Sequence, residues 1–593
     1  MAPQAQTRRP NFLVILVDDL AWSDTGCFGG EISTPHIDAL AQTGLRFTDF
    51  HASALCAPTR SMLLTGTDHH LTGLGQLPEF IARSPSHSGK PGHEGYLNDH
   101  VVAFPELLRD AGYFTTMSGK WHLGLDKEHS PLVKGGFERS FAMLRGCCNH
   151  YAYEPEVANK ADVPAFFSTN TAAYHREDEH IVTKLPKDFY SSDFYADKLL
   201  EYLTGNQESD PDRPFFAYLP FTAAHWPIQA PRENMEHYRG RYDAGPLALR
   251  KERIERQKKM GLIPENVVPH PVVAPEVPAW DDMTDDARAR SCRTMEAYAG
   301  MVERMDENVG KVVEYLKRSG QYEDTYIFFL SDNGAEGAAI EAGPTMQGNT
   351  LAHMQKYYDN SLDNIGRANS YCWYGPLWSQ AGTAPCRLHK WFSTEGGIRV
   401  PFILSKPGLP RKQEAGQIES AFGTVMDLAP TILDLAGVPA QNGGVFKGRQ
   451  VYPVKGVSWK HWLASTDGGK ELKVDEDMIH PPDYEVGWEL MGCAAFRKGY
   501  WKVNWVPPPK GPGKWQLYDL SQDQGETKDL AEEMPHKLEE LVGLWDRYAK
   551  DVGVVGLKNE LQDYRALTAE EISADTTWLR FMNAHEEPVG AAA

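Results

Sequence analysis

The run Phe12-Leu13-Val14-Ile15-Leu16-Val17, closed by Asp18-Asp19, sets the architecture. Six apolar residues without polar alternation predict a strand covered on both faces, as in a parallel sheet between helical layers. Phe215 to Leu219 (FFAYL), Tyr326 to Leu330 (YIFFL) and Val400 to Leu404 (VPFIL) repeat the pattern, and a further strand is predicted near Tyr113 to Met117. Helices are predicted from Thr34-Pro35 through Leu40 with Gly44 as the stop, and from Pro105 to Ala111 before Gly112. The longest runs from Arg288 to Arg318, with Met295, Val302, Met305, Val309 and Leu316 inward and Gly320 at its end. Strands alternating with helices predict an α/β fold: a large, mostly parallel central sheet flanked by helices.

Such sheets bind ligands beyond the carboxyl ends of their strands. Asp18 and Asp19, Lys120 and His122, His225, and Asp332 and Asn333 all lie just past predicted strand ends. Their shared placement predicts one composite site.

After about residue 445 the pattern changes to short aromatic segments, Ala494 to Arg497, Trp501 to Trp505 and Trp515 to Asp519, with a Pro/Gly-rich turn at Pro507 to Gly513. These predict antiparallel strands with a helix from Pro535 to Ala549 packed on them. The expected organisation is a catalytic α/β domain over 1–445, a smaller C-terminal α+β subdomain over 446–556 and an extension over 557–593. The polar, Gly-rich segments 81–100 and 335–380 are candidate rim loops of the site.

A chain of 593 residues exceeds what one core supports, and 41% hydrophobic residues with 24% charged is globular composition. The net charge of -21 would repel nucleic acid and anionic membrane, so any site for an anion must be built locally. Eight scattered cysteines form no disulfide framework and no C-x-x-C zinc pattern. Acids directly after Val17 rule out a signal-peptide reading of the first apolar run, and no run approaches bilayer length, so a cytoplasmic location is expected.

Residues Leu55 to Gly66 read LCAPTRSMLLTG. Pro58 suits a helix's first turn and Gly66 its C-terminal cap, which puts Cys56 at a helix N-terminus with Arg60 one turn on. Unpaired N–H groups and a fixed cation there favour an anionic substrate. Gly119-Lys120-Trp121-His122-Leu123-Gly124 and Glu395-Gly396-Gly397-Ile398-Arg399-Val400-Pro401 are the other dense motifs. Asp18, Asp19, Asp332 and Asn333 offer hard oxygen ligands that suit Ca²⁺ or Mg²⁺ rather than zinc.

The Cys56-Ala57-Pro58-Thr59-Arg60 segment resembles the signature of the type I sulfatases of the alkaline phosphatase superfamily, and GKWHLG matches their second signature. The stretch Tyr238 to Arg250 (YRGRYDAGPLALR) resembles the bacterial arylsulfatase branch, and Ala21 is a small departure where Gly is common. The resemblance runs from Phe12 to about Leu404, and weakly to about Val555. It implies an alkaline phosphatase-like fold and oxidation of Cys56 to formylglycine by a maturation enzyme. It also implies a metal, usually calcium and less often magnesium, held by Asp18, Asp19, Asp332, Asn333 and the group made from Cys56. By the same matching Lys120 and Lys390 bind sulfate, Arg60 adds positive charge, His122 bonds the formylglycine hydroxyl, His225 protonates the leaving group and Asp332 aids attack.

The implied function is hydrolysis of small aryl, and also alkyl, sulfate monoesters to phenol or alcohol plus sulfate, through a sulfated formylglycine. A phosphonate or phosphate mono- or diester hydrolase on the same scaffold is the alternative, and a silent anion-binding scaffold a third reading opposed by the intact motifs. Trp22, Trp121, Trp226 and Trp373 are candidates to line an aromatic pocket. A homo-oligomer is left open.

Overall fold

The computed structural model describes residues 8–81, 84–158, 163–164, 174–337, 350–409, 417–465 and 478–556. The extension 557–593 and parts of both candidate rim loops, 82–83 and 338–349, lie outside the described residues.

A ten-stranded sheet forms the centre. Its order is Gln417–Glu419, Leu45–Phe47, Phe402–Ser405, Thr325–Ser331, Asn11–Val17, Phe215–Pro220, Phe114–Lys120, Arg139–Met143, His175–Glu177 and His180–Val182. The five strands from Thr325–Ser331 to Arg139–Met143 run parallel, so their carboxyl ends share one edge. Register between the two central strands pairs Val17 with Ser331, which brings Asp18 beside Asp332. Phe402–Ser405 is antiparallel to both neighbours, as are the last two strands to theirs.

The continuous apolar run follows from this position. Leu13, Ile15 and Val17 enter one hydrophobic core, whereas Phe12, Val14 and Leu16 enter the other, on the opposite face. Side chains alternate faces along a strand, so a strand covered on both sides has no place for polar residues. The long helix spans Asp285–Arg318, its N-cap Thr284 side chain accepting from the Ala287 N–H, and Met295, Val302, Met305, Val309 and Leu316 are all buried.

Glu485–Leu490, Cys493–Lys498, Trp501–Trp505 and Trp515–Asp519 form a four-stranded antiparallel sheet. The helix Pro535–Val552 covers it with Leu541 and Trp545. A hairpin, Asn442–Phe446 with Arg449–Pro453, spans residue 445. Trp22 and Trp121 do not line a pocket: each is buried in one of the two cores. Trp226 lies beside Tyr371, which in turn lies against Trp373.

Candidate active site

Cys56 begins the helix Cys56–Thr65, with Leu55 as its N-cap and Gly66 closing it at φ 64° through an N–H bond to the Met62 carbonyl. Every residue of this helix is buried. The first-turn N–H groups at Cys56 therefore face the site without a capping side chain.

The carboxyl edge of the sheet converges on this helix. Lys120 Nζ lies 2.6 Å from Asp18 Oδ2. Lys390 Nζ lies 2.8 Å from Asp19 Oδ1 and 3.0 Å from Glu336 Oε2. Arg60 donates from Nη2 to Asp332 Oδ2 at 2.6 Å and from Nη1 to the Lys120 carbonyl at 3.0 Å. Asn333 Nδ2 donates to Asp19 Oδ1 at 2.7 Å. Asp18, Cys56 and Asp332 bring their ligand atoms within 4.8 Å of one another, as do Asp18, Asp19 and His225.

Two histidines approach the same point. His122 Nδ1 stands 3.4 Å from Cys56 Sγ. His225 Nε2 stands 3.5 Å from Asp19 Oδ2, while its Nδ1 donates to the Trp226 carbonyl at 2.7 Å. That bond fixes the His225 tautomer, leaving a lone pair on Nε2 in the neutral ring.

Backbone geometry at the site is unusual where function is expected. Asp19 and His122 have φ of 66° and 59°, in the left-handed region that non-glycine residues rarely enter. Gly119 has φ 136°, and a Cβ there would stand 2.0 Å from the Pro220 carbonyl oxygen. No other residue fits at the start of the GKWHLG motif without moving the neighbouring strand.

The charges balance poorly. Burial, with like charge from neighbouring acids, pushes Asp18 and Asp19 up to about 7 despite the opposing pull of Lys120 and Lys390. Burial also raises Asp332, but Arg60 with the two lysines outweighs it and holds this carboxyl below the usual range. The Cys56 thiol is pushed up by burial, so the unmodified side chain is a protonated, poor nucleophile.

Every site residue named from the sequence thus lies in this cluster. Two others were missed. Glu336 bridges Lys390 and the Trp391 indole N–H, and Glu79 bonds His122. Glu336 stands four residues beyond Asp332, a spacing that pointed toward the site. Glu79 follows Pro78 in a four-residue helix, where an acid is ordinary first-turn chemistry and carries no signal.

A second group of metal-ligating type, Asp68, His69 and His70, is already occupied by protein bonds. Both His70 nitrogens bond carboxylates, those of Asp68 and Glu489, and Asp68 Oδ2 accepts from the Tyr548 hydroxyl.

Comparison with known proteins decides the family. The sulfatase family model matches residues 10–438. An uncharacterized sulfatase of Schizosaccharomyces pombe is 49% identical over 553 residues, covering 93% of this chain and 95% of its own. The chain belongs to the sulfatase family. An arylsulfatase of Klebsiella aerogenes is 36% identical to this sulfatase over 462 residues, 77% of this chain and 92% of its own. The crystal structure of Ps i-CgsB shares the sulfatase's fold, with a TM-score of 0.63 at 23% identity over 95% of this chain and 99% of the other. This sulfatase is accordingly a sulfuric ester hydrolase, and the cluster around Cys56 is its candidate active site.

Proposed function

We propose that this sulfatase hydrolyses aryl sulfate monoesters, and alkyl ones more slowly, using a formylglycine made from Cys56 and a bound calcium ion. One observation carries the reading. Segments as far apart as Asp18 and Lys390 deliver three cations, three carboxylates and two histidines to one buried cysteine.

The donor set fits a hard divalent cation. Asp18 Oδ1 and Asn333 Oδ1 are buried without a hydrogen-bond partner, and orphaned oxygens of that kind are costly unless something is bound there. Asp18, Asp19, Asp332, Asn333 and the group derived from Cys56 would hold the ion. Calcium accepts such an all-oxygen set at irregular geometry more readily than magnesium. When bound, the cation offsets negative charge on the sulfate, and the aldehyde hydrate offers one hydroxyl to attack sulfur and a second for sulfate release.

The protein's own groups do the rest. Lys120 and Lys390 present Nζ protons to the sulfate oxygens, where negative charge spreads during transfer. Arg60 orients Asp332 and keeps it ionised, which suits a metal ligand better than a base. His122 Nδ1 is placed to accept a proton from the group at position 56. His225, held by its Nδ1–H bond to the Trp226 carbonyl, aims Nε2 into the site, and it protonates the departing oxygen as the imidazolium, in which Nε2 also carries a proton. A phenol, with pKa about 10, leaves more readily than an alkyl alcohol, hence the aryl preference.

A cytoplasmic location belongs to the same reading, supported by eight free, buried cysteines. A formylglycine-generating maturation enzyme is the required partner. Mass spectrometry of the Cys56 peptide, with catalytic efficiencies for 4-nitrophenyl sulfate and a phosphonate monoester, tests the proposal. An unmodified thiol throughout active protein, or a strong phosphonate preference, overturns it.

A further inference from the structure

His122 is gripped on three sides. Its Nδ1 faces Cys56 Sγ at 3.4 Å. Its Nε2 lies 3.1 and 3.2 Å from the two carboxylate oxygens of Glu79. On the third side Gly146 packs so closely that a Cβ there would stand 3.1 Å from His122 Nε2 and 3.0 Å from Glu79 Oε1.

The contact with Glu79 has a chemical direction. Burial pushes the Glu79 carboxyl up, but His122 beside it and the bonds it accepts outweigh that and leave it at about 2. An ionised carboxylate only accepts, so the proton between the two side chains belongs to Nε2. A neutral imidazole with Nε2–H carries its lone pair on Nδ1, the atom turned toward Cys56. Glu79 also lines a cavity of about 620 Å³ with His122, Tyr96, His129 and Arg145, so its outer side is open to water while its inner side holds the ring.

We propose that Glu79 is the positioning residue for His122: it fixes the tautomer and orientation that aim the Nδ1 lone pair at the residue-56 side chain, with Gly146 leaving room for the pair. The proposal rests on the reading of His122 as the partner of the nucleophile. Its logic is that of a histidine oriented by an outer carboxylate, where loss of the outer group costs activity without loss of the inner one.

The test uses full-length protein with conversion of Cys56 verified by mass spectrometry, and 4-nitrophenyl sulfate as substrate. Glu79→Leu lowers kcat about 10- to 100-fold, the usual cost of removing such an outer partner, and leaves KM little changed. Glu79→Gln falls between, because its amide can offer either an acceptor or a donor to Nε2. In a His122→Ala background Glu79→Leu has no further effect, since its only route to the chemistry is gone. Full kcat in both Glu79 variants overturns the proposal, as does an equal loss in the His122→Ala background, which would mark a merely structural role. Should the leucine variant fail to fold, the near-isosteric glutamine variant decides alone. Unimpaired His122→Ala would instead sink the assignment of His122 itself.

Discussion

Lys502 Nζ, on the C-terminal sheet, lies 2.7 Å from Glu395 Oε1, and both side chains are buried. The same Nζ lies 2.9 Å from Glu526 Oε1, and Glu395 also accepts from His51 Nε2 at 2.8 Å. Glu395 opens the EGGIRVP stretch, five residues beyond Lys390. The C-terminal sheet therefore grips the segment that carries Lys390.

Lys502→Met removes the cation shared by two buried carboxylates. Breaking such an arrangement by removing one partner costs about 3–5 kcal/mol. The variant is expected to unfold at lower urea concentration and to lose activity, because the Lys390 segment loosens. An unchanged urea midpoint would show the network to be energetically idle.

Lys120→Ala and Lys390→Ala each lower kcat about 10²- to 10³-fold, the scale for removing one donor from a preorganised anion site. Lys390→Arg does not restore activity, because a guanidinium cannot occupy the point where Nζ meets Asp19 and Glu336, both within 3.0 Å. Steady-state kinetics on 4-nitrophenyl sulfate measure both effects. Near-normal turnover in either alanine variant counts against the site.

Chelation of divalent cations is expected to lower both activity and Tm, with calcium restoring them better than magnesium. At calcium 100-fold above its Kd the gain is about 2.7 kcal/mol. Asp18→Asn shifts the midpoint of calcium rescue to higher concentration. Identical melting of chelated and calcium-loaded protein in scanning calorimetry would rule out this site as a calcium site.

The histidine cluster under the C-terminal helix gives a pH dependence of stability. Burial, reinforced by neighbouring His70, pushes His69 and His93 down to about 3. Unfolded, both take protons near pH 6.5, so their contribution is lost as pH falls below that value toward 3. His70 runs the other way. Burial lowers it, but bonds to Asp68 and Glu489 prevail and raise it to about 10, so its contribution is full below pH 6.5 and lost as pH rises toward 10. Between pH 6.5 and 4 the Tm of His69→Gln should fall less steeply than that of the parent, and parallel curves would refute the assignment.

The central sheet and most of the site could be read from the chain because both are written in contiguous signals. Phe12 to Val17 is apolar on both faces because both faces are covered, and the site residues follow directly on such strands or sit in dense motifs. The three strands at one end of the sheet, Arg139–Met143, His175–Glu177 and His180–Val182, were not legible: they are short and partly polar, and only their neighbours make them strands. Trp22 and Trp121 stand among site residues in sequence yet turn into opposite cores, since adjacency along the chain does not fix which way a ring points. Glu79 became visible only through its distance to His122.

The helix headed by Cys56 is buried from end to end, and Cys56 itself is 2% exposed. Its walls include Lys390, and the sheet that steadies Lys390 is made later still. The enclosure of the thiol is therefore completed by segments that lie far beyond Cys56 in the chain. If Cys56 is converted as proposed, the aldehyde must form before those segments close over it, and a copy that folds unconverted keeps its thiol sealed.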